Sequence, residues 1–453
     1  MNDPQPQDLK SMQVDAQAAV HAAEEAFQSQ EGTRMLAALQ GCDRLLQAMP
    51  PEQVIPETKA PDAADPLAEE RALLWLWRGR LLVIADQPDV VVKGLHSLDQ
   101  AIARLSAAGD RAGAEEALAI AWMNRGSGLF RLGSRDALAE AVRSYDQAIV
   151  VLERIDGPRN TLGAAWMNRG VGLMHLDEAK EAPESVAARL ADAAKSLERA
   201  IAVLQPLAAT QQMAQRNLAS TWANLGILRT RRQDAEGATE AHRHAVQLFR
   251  PLAAEGDMPA TFELAARLFN LGQACGAAGE TEAALTAGRE SLSLLATLPA
   301  NDAQVAELGL RTRHALCVIL GGLLAAGRAQ AEDPDRAARL EEAGDLVEDG
   351  LASLRGRGEL PEGIAAAGAR LYEFGAWLYR TQQPRFLGEF LLDHLDEGNA
   401  RTNIAAATVQ VARQAMVQSD FSATLGGDMD RMLDLLQDLG EVESRLKARG
   451  VAV

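Results

Sequence analysis

Small and large apolar residues recur along the chain at the spacing of a helix. A small residue is followed by a larger one four positions later and by another small one three positions beyond, as in Ala141/Tyr145/Ala148, Ala193/Leu197/Ala200 and Ala238/His242/Ala245. Positions i, i+4 and i+7 lie on one face of an α-helix. Each triplet therefore predicts a helix that buries one face. Two further triplets extend the pattern towards the N-terminus, Gly94/Leu98/Ala101 and Ala38/Cys42/Leu45.

A second pattern precedes the triplets and ends in glycine. Residues 121–126 and 165–170 both read AWMNRG, and residues 221–226 read TWANLG. RLFNLG at 267–272 keeps the Asn and Gly, and LWLWRG at 74–79 keeps the Trp and Gly. Four of the six tryptophans stand four residues before such a glycine: Trp75, Trp122, Trp166 and Trp222. A glycine lets one helix approach another with no Cβ atom between them, so the chain is predicted to consist of repeated helix pairs.

At these residues the chain resembles the tetratricopeptide repeat (TPR) family, whose unit is a pair of antiparallel helices of ~34 residues. The resemblance covers roughly residues 67–395, and the repeats here are longer, since Trp122 and Trp166 are 44 residues apart. The resemblance implies an all-α fold, a right-handed α-solenoid of TPR-like antiparallel helix pairs with helical caps. In such an array no repeat buries its apolar face alone, and stacking supplies the core.

The pattern divides the chain into four parts. We expect an N-terminal helical hairpin at 1–49, a Pro-rich linker at 50–66, the TPR-like repeat array at 67–398 and C-terminal capping helices at 399–453. The linker contains five prolines, which regular helix does not accommodate. The last predicted helix carries an apolar stripe that fits a cap over the final repeat: Met432, Leu435, Leu436, Leu439, Val442 and Leu446.

Charge and cysteine content narrow the class of protein. With 45 basic and 63 acidic residues, the net charge of −18 argues against a nucleic-acid or anionic-membrane partner. The longest apolar stretch, residues 315–327, is too short to span a bilayer, and no secretory signal is visible at the N-terminus. Cys42, Cys275 and Cys317 are far apart in sequence, which predicts buried free thiols. We therefore expect a soluble, cytoplasmic protein.

Motifs for catalysis or metal binding are missing from the sequence. It contains no GxxxxGK[ST], no HExxH and no CxxC. His242 and His244 are two residues apart on a predicted helix, so their side chains point in different directions and make a poor metal pair. We interpret them as one packing histidine and one surface histidine. The expectation is a protein that is not an enzyme and that has neither a metal site nor a cofactor.

The candidate binding residues are the asparagines two positions before the repeat glycines: Asn124, Asn168, Asn224 and Asn270. The TPR resemblance implies that this position lines the concave groove, where a ladder of asparagines can hold an extended peptide by its backbone amides. An Asn side chain both donates and accepts hydrogen bonds, which suits a peptide group of any sequence. The alternative is that Asn is merely common at this position, with or without a ligand.

Seven residues beyond the first three asparagines stand Arg131, His175 and Arg231. They are predicted to form a basic column along the same groove; the alternative is three solvated residues at helix ends. The favoured function is a non-catalytic protein-binding scaffold or adaptor that holds an extended, acidic segment of a partner protein. The alternative is a regulatory sensor in which a small peptide or ligand in the groove changes a second interaction.

Charged residues also occupy matching positions in successive repeats. The residue just before the glycine is Arg78, Arg125 or Arg169 in the first three repeats, where the family usually has leucine. The matching second helices carry Asp99, Asp146 and Glu198 just after the large position. We expect ion pairs between the two helices of each repeat, although Glu348 breaks the correlation. The alternative is independent drift on solvated faces.

Overall fold

A computed structural model describes residues 6–29, 31–50, 67–85, 87–108, 113–157, 159–176, 182–253, 257–326, 334–355, 360–394, 405–410, 412, 429–449 and 451. Within these ranges the chain forms helices and turns, with no strand. Apart from Pro50, the predicted linker at 50–66 lies outside the described residues. Contacts divide the chain into two compact units, Met1–Arg231 and Arg232–Val453, and this division falls inside the predicted repeat array.

The first unit is a stack of antiparallel helix pairs. Its helices are α1 (Pro6–Ser29), α2 (Gly32–Ala48), α3 (Ala68–Val83), α4 (Pro88–Ala107), α5 (Ala114–Leu132), α6 (Arg135–Leu152), α7 (Asn160–His175), α8 (Pro183–Leu204) and α9 (Gln212–Arg231). The helices of the pairs α3/α4, α5/α6 and α7/α8 pack on each other. The first helix of each of these pairs also contacts the first helix that follows it, which is the TPR-like solenoid arrangement.

The second unit repeats this arrangement and ends in a cap. Its helices are α10 (Ala235–Ala253), α11 (Met258–Ala277), α12 (Thr281–Leu295), α13 (Ala303–Ala326), α14 (Arg336–Ala352), α15 (Glu362–Gln382), α16 (Leu387–His394) and α17 (Met429–Ala448). A 3-10 turn at Pro384–Phe386 precedes α16, and residues 405–410 are helical. Helices α11 and α12 form a pair, and α13 contacts both α14 and α15.

The repeat glycines lie against the large residues of the second helices, as the sequence pattern predicts. A Cβ atom at Gly126 would lie 2.6 Å from Cε1 of the buried Tyr145. A Cβ atom at Gly170 would lie 2.9 Å from Cγ of Leu197. These distances are shorter than any ordinary carbon–carbon contact, so only glycine allows the two helices of a pair to come this close.

The small positions of the second helices are fully buried, since Ala148, Ala200 and Ala245 have no exposed surface. The tryptophans differ, because each of the four is only partly buried. Trp122 contacts the apolar cores on both sides of its helix, one shared with α3 and α4 and one shared with α6 and α7. The tryptophan position therefore joins successive helix pairs and is not the centre of a single core.

At the C-terminal end, α17 buries most of its apolar stripe. Leu435, Leu439, Val442 and Leu446 join a core formed with α13 to α16 and with the helical residues 405–410 and 412. Leu436 is the exception among the described members, with 42% of its surface exposed. The side chain of Met432 lies outside the described residues. The stripe thus works as a cap on the last helix pair of the second unit.

Helix α13 is the single helix, among the residues that the structure describes, that is long and apolar enough to cross a membrane by length and composition alone. Half of its most apolar stretch is buried. Leu316, Leu320 and Leu324 have almost no exposed surface and share a core with Ala343 of α14. This burial is what a core helix of a globular unit shows.

All three cysteines are free thiols and buried, as predicted. The pKa of Cys42 is raised to about 11, mainly by burial and to a lesser extent by the neighbouring Asp43 carboxylate. Burial also raises the pKa of Cys317. A thiol whose pKa is raised holds little thiolate at neutral pH and is a weak nucleophile. The cysteines are core residues.

The close contact at Gly126 gives a direct test of the repeat pattern. Replacing Gly126 with Ala forces the Tyr145 ring out of its packed position, and we expect the free energy of unfolding to fall by roughly 1 to 3 kcal/mol. Gly440→Ala in α17 is the matched control, because a Cβ atom there would meet nothing within 4 Å. The control is expected to raise stability by up to about 1 kcal/mol, since Ala is the better helix former. Equal effects of the two changes on urea denaturation would contradict this account.

His242 gives a second test, through the pH dependence of stability. It is 2% exposed, and its Nδ1 atom is buried without a hydrogen bond. Burial lowers the pKa of His242 to about 4. Between that pH and the usual histidine pKa of about 6.5, the imidazole is neutral in the folded chain and protonated in the unfolded chain.

The unfolded state therefore binds more protons as the pH falls, and this residue costs the fold roughly 2 to 3 kcal/mol between about pH 7.5 and about pH 4.5. In His242→Leu this contribution is absent. We expect the variant to gain stability relative to the wild type as the pH falls, as measured by urea denaturation at both pH values. A difference between the two proteins that does not change with pH would contradict the expectation.

Candidate functional site

A cavity of about 360 Å³ in the first unit brings part of the predicted site together. Helices α5 and α7, which carry the two AWMNRG segments, supply six lining residues: Asn124, Ser127, Phe130, Arg131, Asn168 and Val171. Two ladder asparagines and one arginine of the predicted column therefore share one concave surface. The volume lies at the lower end of the range typical of ligand sites.

The amides of the two cavity asparagines differ in their hydrogen bonding. The Nδ2 atom of Asn124 donates to the carbonyl oxygen of Ile120, one turn earlier in α5, at 2.7 Å. This bond fixes the side-chain rotamer and leaves Oδ1 as an acceptor. The side chain of Asn168 makes no hydrogen bond with any residue that the structure describes. Both amides are partly exposed and retain donor or acceptor capacity towards the cavity.

Arg131 lies on the last turn of α5, beside the cavity. The helix ends at Leu132 because Gly133 adopts the left-handed conformation, with φ of +69°. The side chain of Arg131 is exposed, and its Nη2 atom lies 3.3 Å from the carbonyl oxygen of Ala85, just past the end of α3. The guanidinium thus joins two successive first helices.

His175 and Arg231 do not line this cavity. The ring of His175 meets the edge of Phe130 with centroids 5.1 Å apart, and its Nδ1 atom lies 3.3 Å from the carbonyl oxygen of Val171. Burial and the nearby Arg231 guanidinium lower the pKa of His175. The imidazole is therefore neutral at pH 7. The basic column of Arg131, His175 and Arg231 stays a prediction.

Arg231 donates from Nη1 to the carbonyl oxygen of Met174 at 2.6 Å. As Arg131 does for α3, Arg231 provides a donor to a carbonyl at the C-terminal end of the preceding first helix, where carbonyls lack intrahelical partners. Asn224 lies on α9 outside the cavity, and Asn270 belongs to the second unit. A ladder of all four asparagines stays a prediction.

The remaining walls of the cavity were not expected from the repeat pattern. They are formed by Phe27, Val83, Ile84 and Tyr145. The hydroxyl of Tyr145 lies 3.4 Å from Ser127 Oγ, and burial raises the pKa of Tyr145 to about 12. Tyr145 stands out in the sequence, because it is the one tyrosine among the large positions. Phe27 comes from the N-terminal hairpin, and no repeat signal points to it.

Two arginines, Arg125 and Arg169, tie the helices that carry the two cavity asparagines to the neighbouring helices, and we call them the arginine clamps. Arg125 directly follows Asn124, and its Nε atom lies 2.8 Å from Asp99 Oδ1. Its Nη1 atom lies 2.8 Å from both Glu140 Oε1 and Ser144 Oγ. Although burial alone would lower it, hydrogen bonds to Asp99 and Glu140 raise the pKa of Arg125. One side chain therefore ties α5 to α6 and to the preceding α4.

Arg169, next to Asn168, repeats this geometry. Its Nε atom lies 2.6 Å from Asp146 Oδ1, its Nη2 atom 2.9 Å from Asp192 Oδ2 and its Nη1 atom 2.6 Å from Ser196 Oγ. The guanidinium also lies over the Trp166 ring, 5.8 Å from its centroid. Arg169 thus ties α7 to its partner α8 and to α6 of the preceding pair.

The ion pairs were expected, but their register was not. We expected Arg125 to pair with Asp146 inside its own repeat, whereas it pairs with Glu140 of its own repeat and with Asp99 of the preceding one. Arg78 fits the same register, because its Nε atom lies 2.6 Å from Asp43 Oδ1 in α2. Each arginine thus also reaches the preceding second helix, so that Asp43, Asp99 and Asp146, each just after a large position, meet the arginine of the next repeat.

A serine that recurs at the same position in three repeats completes the clamps. Ser97, Ser144 and Ser196 each stand just before the large position of a second helix, and each accepts a hydrogen bond from the arginine of its own pair. Each serine hydroxyl also donates to the carbonyl four residues earlier. This recurring serine is a signal in the sequence that the pattern of small and large apolar residues does not include.

Within the described parts of the chain, no group of three or more His, Cys, Asp or Glu side chains is placed to hold a metal ion. The chemistry that the cavity offers is therefore hydrogen bonding by amides, a guanidinium and apolar contact.

No protein-family model and no curated protein matches this chain. Solved structures with some similarity include the apo form of RapI, at 10% identity and a TM-score of 0.49 over 96% of this chain and 99% of that one. The apo quorum sensor NprR from B. thuringiensis has 14% identity and a TM-score of 0.46 over 94% and 98%. BtubC from P. vanneervenii has 14% identity and a TM-score of 0.41 over 60% and 95%. These values are too low to assign a family or to transfer a function.

The cross-repeat register can be tested by a double-mutant cycle. Arg125→Leu and Asp99→Ala are expected to show a coupling energy of about 0.5 to 1 kcal/mol in urea denaturation, which is modest because the Asp99 side chain is 52% exposed. The coupling should decrease with added salt. The matched cycle combines Arg125→Leu with Asp146→Ala, the partner expected from sequence, and should give a coupling near zero. A larger coupling to Asp146 than to Asp99 would show that the register described here is incorrect.

Proposed function

We propose that this chain is a non-catalytic protein-binding scaffold whose first unit holds a short, extended, acidic segment of a partner protein. One observation carries the proposal: Asn124, Asn168 and Arg131 line the same cavity. No acidic residue is among the described residues that line it. An acidic segment would therefore meet donors without a competing carboxylate.

The chemistry of the lining suits a peptide backbone. An extended segment presents alternating N–H and C=O groups, and successive side chains point to opposite sides. Asn168 can donate to a peptide carbonyl and accept from a peptide N–H, and the Oδ1 atom of Asn124 can accept a second N–H. A carboxylate side chain of the segment would bind Arg131 through charge-assisted hydrogen bonds, which are roughly twice as strong as neutral ones.

The apolar wall of the cavity defines the rest of the segment. Val83, Ile84 and Phe130 offer an apolar surface beside the amides. A side chain that points away from Arg131 would bury its apolar part there. We therefore propose a segment in which an acidic residue is followed or preceded by an apolar one. The volume of about 360 Å³ limits the tightly held part to a few residues.

A regulatory sensor is the second candidate. In a sensor, occupancy of the same cavity by a small peptide would alter the packing of α5 on α7 and so change a second interaction. The arginine clamps favour the scaffold, because Arg125 and Arg169 fix α5 and α7 to their neighbours whether or not the cavity is filled. A sensor would bind its second partner differently in the presence of the peptide, and a scaffold would not.

The amides are tested by cross-linking capture from a lysate of the native host with the full chain as bait. The variant Asn124→Ala/Asn168→Ala is expected to reduce capture of the partner at least roughly tenfold, since three hydrogen bonds to the peptide backbone, of about 0.5 to 1.5 kcal/mol each, are lost. Asn301→Ala is the control, because it removes an exposed asparagine that stands outside the repeat positions. Its capture is expected to equal that of the wild type.

The role of the ligand's negative charge is tested with the captured segment, which is first mapped by mass spectrometry. Two peptides are then synthesised, one with the native Asp and Glu residues and one with Asn and Gln in their place. Arg131→Ala should weaken binding of the acidic peptide several-fold and leave binding of the neutral peptide almost unchanged. Binding of the acidic peptide should also decrease with salt. Equal losses for both peptides, or unchanged capture by the asparagine variant, would refute this proposal.

A further inference from the structure

The second unit contains a larger cavity that the repeat pattern does not predict. It has a volume of about 650 Å³, within the range of small-molecule sites, and lies among α11, α12, α13 and α15. Asn270 is not among its lining residues. Helix α13 contributes the longest wall, from Arg311 to Leu323, which at 1.5 Å per residue is about 18 Å.

One end of this cavity is basic. Arg311 and His314 lie one turn apart on α13, and Arg370 faces them from α15. Arg311 lies 3.8 Å from the Glu307 carboxylate and 5.1 Å from the centroid of the Phe269 ring. No acidic residue is among the described residues that line the cavity, in a chain whose net charge is −18.

Arg370 is the informative member of this group. Its side chain is exposed and makes no hydrogen bond or ion pair with any residue that the structure describes. Burial and the Arg370 charge lower the pKa of His314, so the imidazole is neutral at pH 7 and offers one N–H donor. The two guanidinium groups therefore supply positive charge at this end, where the nearby Glu373 carboxylate offsets only part of the lowering of the His314 pKa.

The opposite end is apolar and is kept open by glycine. Val318 is 53% exposed, although it is a large apolar residue, and Ile319 and Leu323 line the same wall. A Cβ atom at Gly322 would meet nothing within 4 Å, and one at Gly276 would lie 3.8 Å from the nearest side-chain atom.

Helix packing therefore requires glycine at neither position. At Gly288, by contrast, a Cβ atom would lie 2.6 Å from Leu316 Cδ2. Glycine inside a helix costs about 1 kcal/mol relative to alanine. At Gly276 and Gly322 no close packing contact with a described residue offsets this cost. Any larger side chain at either position would project into the cavity. The two glycines preserve its volume.

We infer that this cavity binds a small apolar monocarboxylate, with its carboxylate between Arg311 and Arg370 and its hydrocarbon part along Val318 towards Gly276 and Gly322. The carboxylate would accept charge-assisted hydrogen bonds from the guanidinium groups. Each buried methylene adds about 0.8 kcal/mol. The inference is independent of the proposed function, because it concerns another unit and none of the candidate peptide-binding residues.

Isothermal titration calorimetry of the full chain tests the inference with decanoate, hexanoate and 3-phenylpropionate as probes and with decanol as the uncharged control. We expect decanoate to bind and to raise the thermal midpoint, since a ligand of the native state stabilises it. Hexanoate should bind more weakly than decanoate, because it buries fewer methylenes. Decanol should bind at least roughly tenfold more weakly, because it lacks the charge that Arg370 recognises.

Two variants and two matched controls locate the site. Arg370→Ala removes charge at the basic end, and Gly322→Leu fills the apolar end; each should weaken decanoate binding at least roughly tenfold. Arg380→Ala, on the same helix as Arg370, and Gly440→Leu, at an open position in α17, should bind decanoate like the wild type. If Gly322→Leu lowers the thermal midpoint in the absence of ligand, Gly276→Val replaces it.

The inference is overturned if none of the three acids binds, or if decanol binds as well as decanoate. It is also overturned if Arg370→Ala and the cavity-filling variant retain wild-type affinity, because binding would then occur elsewhere on the protein. Loss of partner capture in the asparagine variant would not bear on these outcomes.

Discussion

In the first unit, the contact between a glycine on one helix and a large side chain on the next determines the direction in which the neighbouring side chains point. Gly126 lies against Tyr145, so this face of α5 must point towards α6. Successive helical residues are about 100° apart. Arg125 therefore points to one side of the contact, towards the preceding second helix, and Asn124 is rotated further, into the cavity. The three consecutive residues therefore face different neighbours: Asn124 faces the cavity, Arg125 bonds the adjacent helices and Gly126 packs on Tyr145.

The clamps show how charge can set geometry while adding little stability. The Arg125 and Arg169 side chains are 19% and 16% exposed, but their partners Asp99 and Asp146 are 52% and 45% exposed. Such pairs contribute little net free energy, yet a planar guanidinium with several partners restricts the rotation of its helix. The second unit places ion pairs differently: Arg243 pairs with Glu280, and Arg289 Nε lies 2.7 Å from Glu342 Oε1.

Periodicity made the helix pairs predictable, because a packed helix face and its glycine contact both leave a fixed spacing in the chain. The register of the ion pairs was not predictable. Asp99 and Asp146 are equivalent in the repeat, and only the direction in which Arg125 leaves α5 distinguishes them. The cavity of the second unit was missed for a related reason. Gly276 and Gly322 stand outside the repeat pattern, as do Arg311 and Arg370, so no spacing connects them. Phe27 was missed because it lies outside the repeats.

The distribution of charge sets how both cavities would select a ligand. Each has arginine and no acidic residue among its described lining residues, whereas the chain as a whole carries a charge of −18. At distances beyond the screening length of ~8 Å, salt removes most of the repulsion between such a chain and an anion. Attraction therefore acts only at contact, through charge-assisted hydrogen bonds to a guanidinium. An anion that reaches Arg131 or Arg370 without filling the adjoining apolar wall gains one exposed ion pair, which is worth little. Recognition in each cavity then depends on charge and apolar contact being satisfied together.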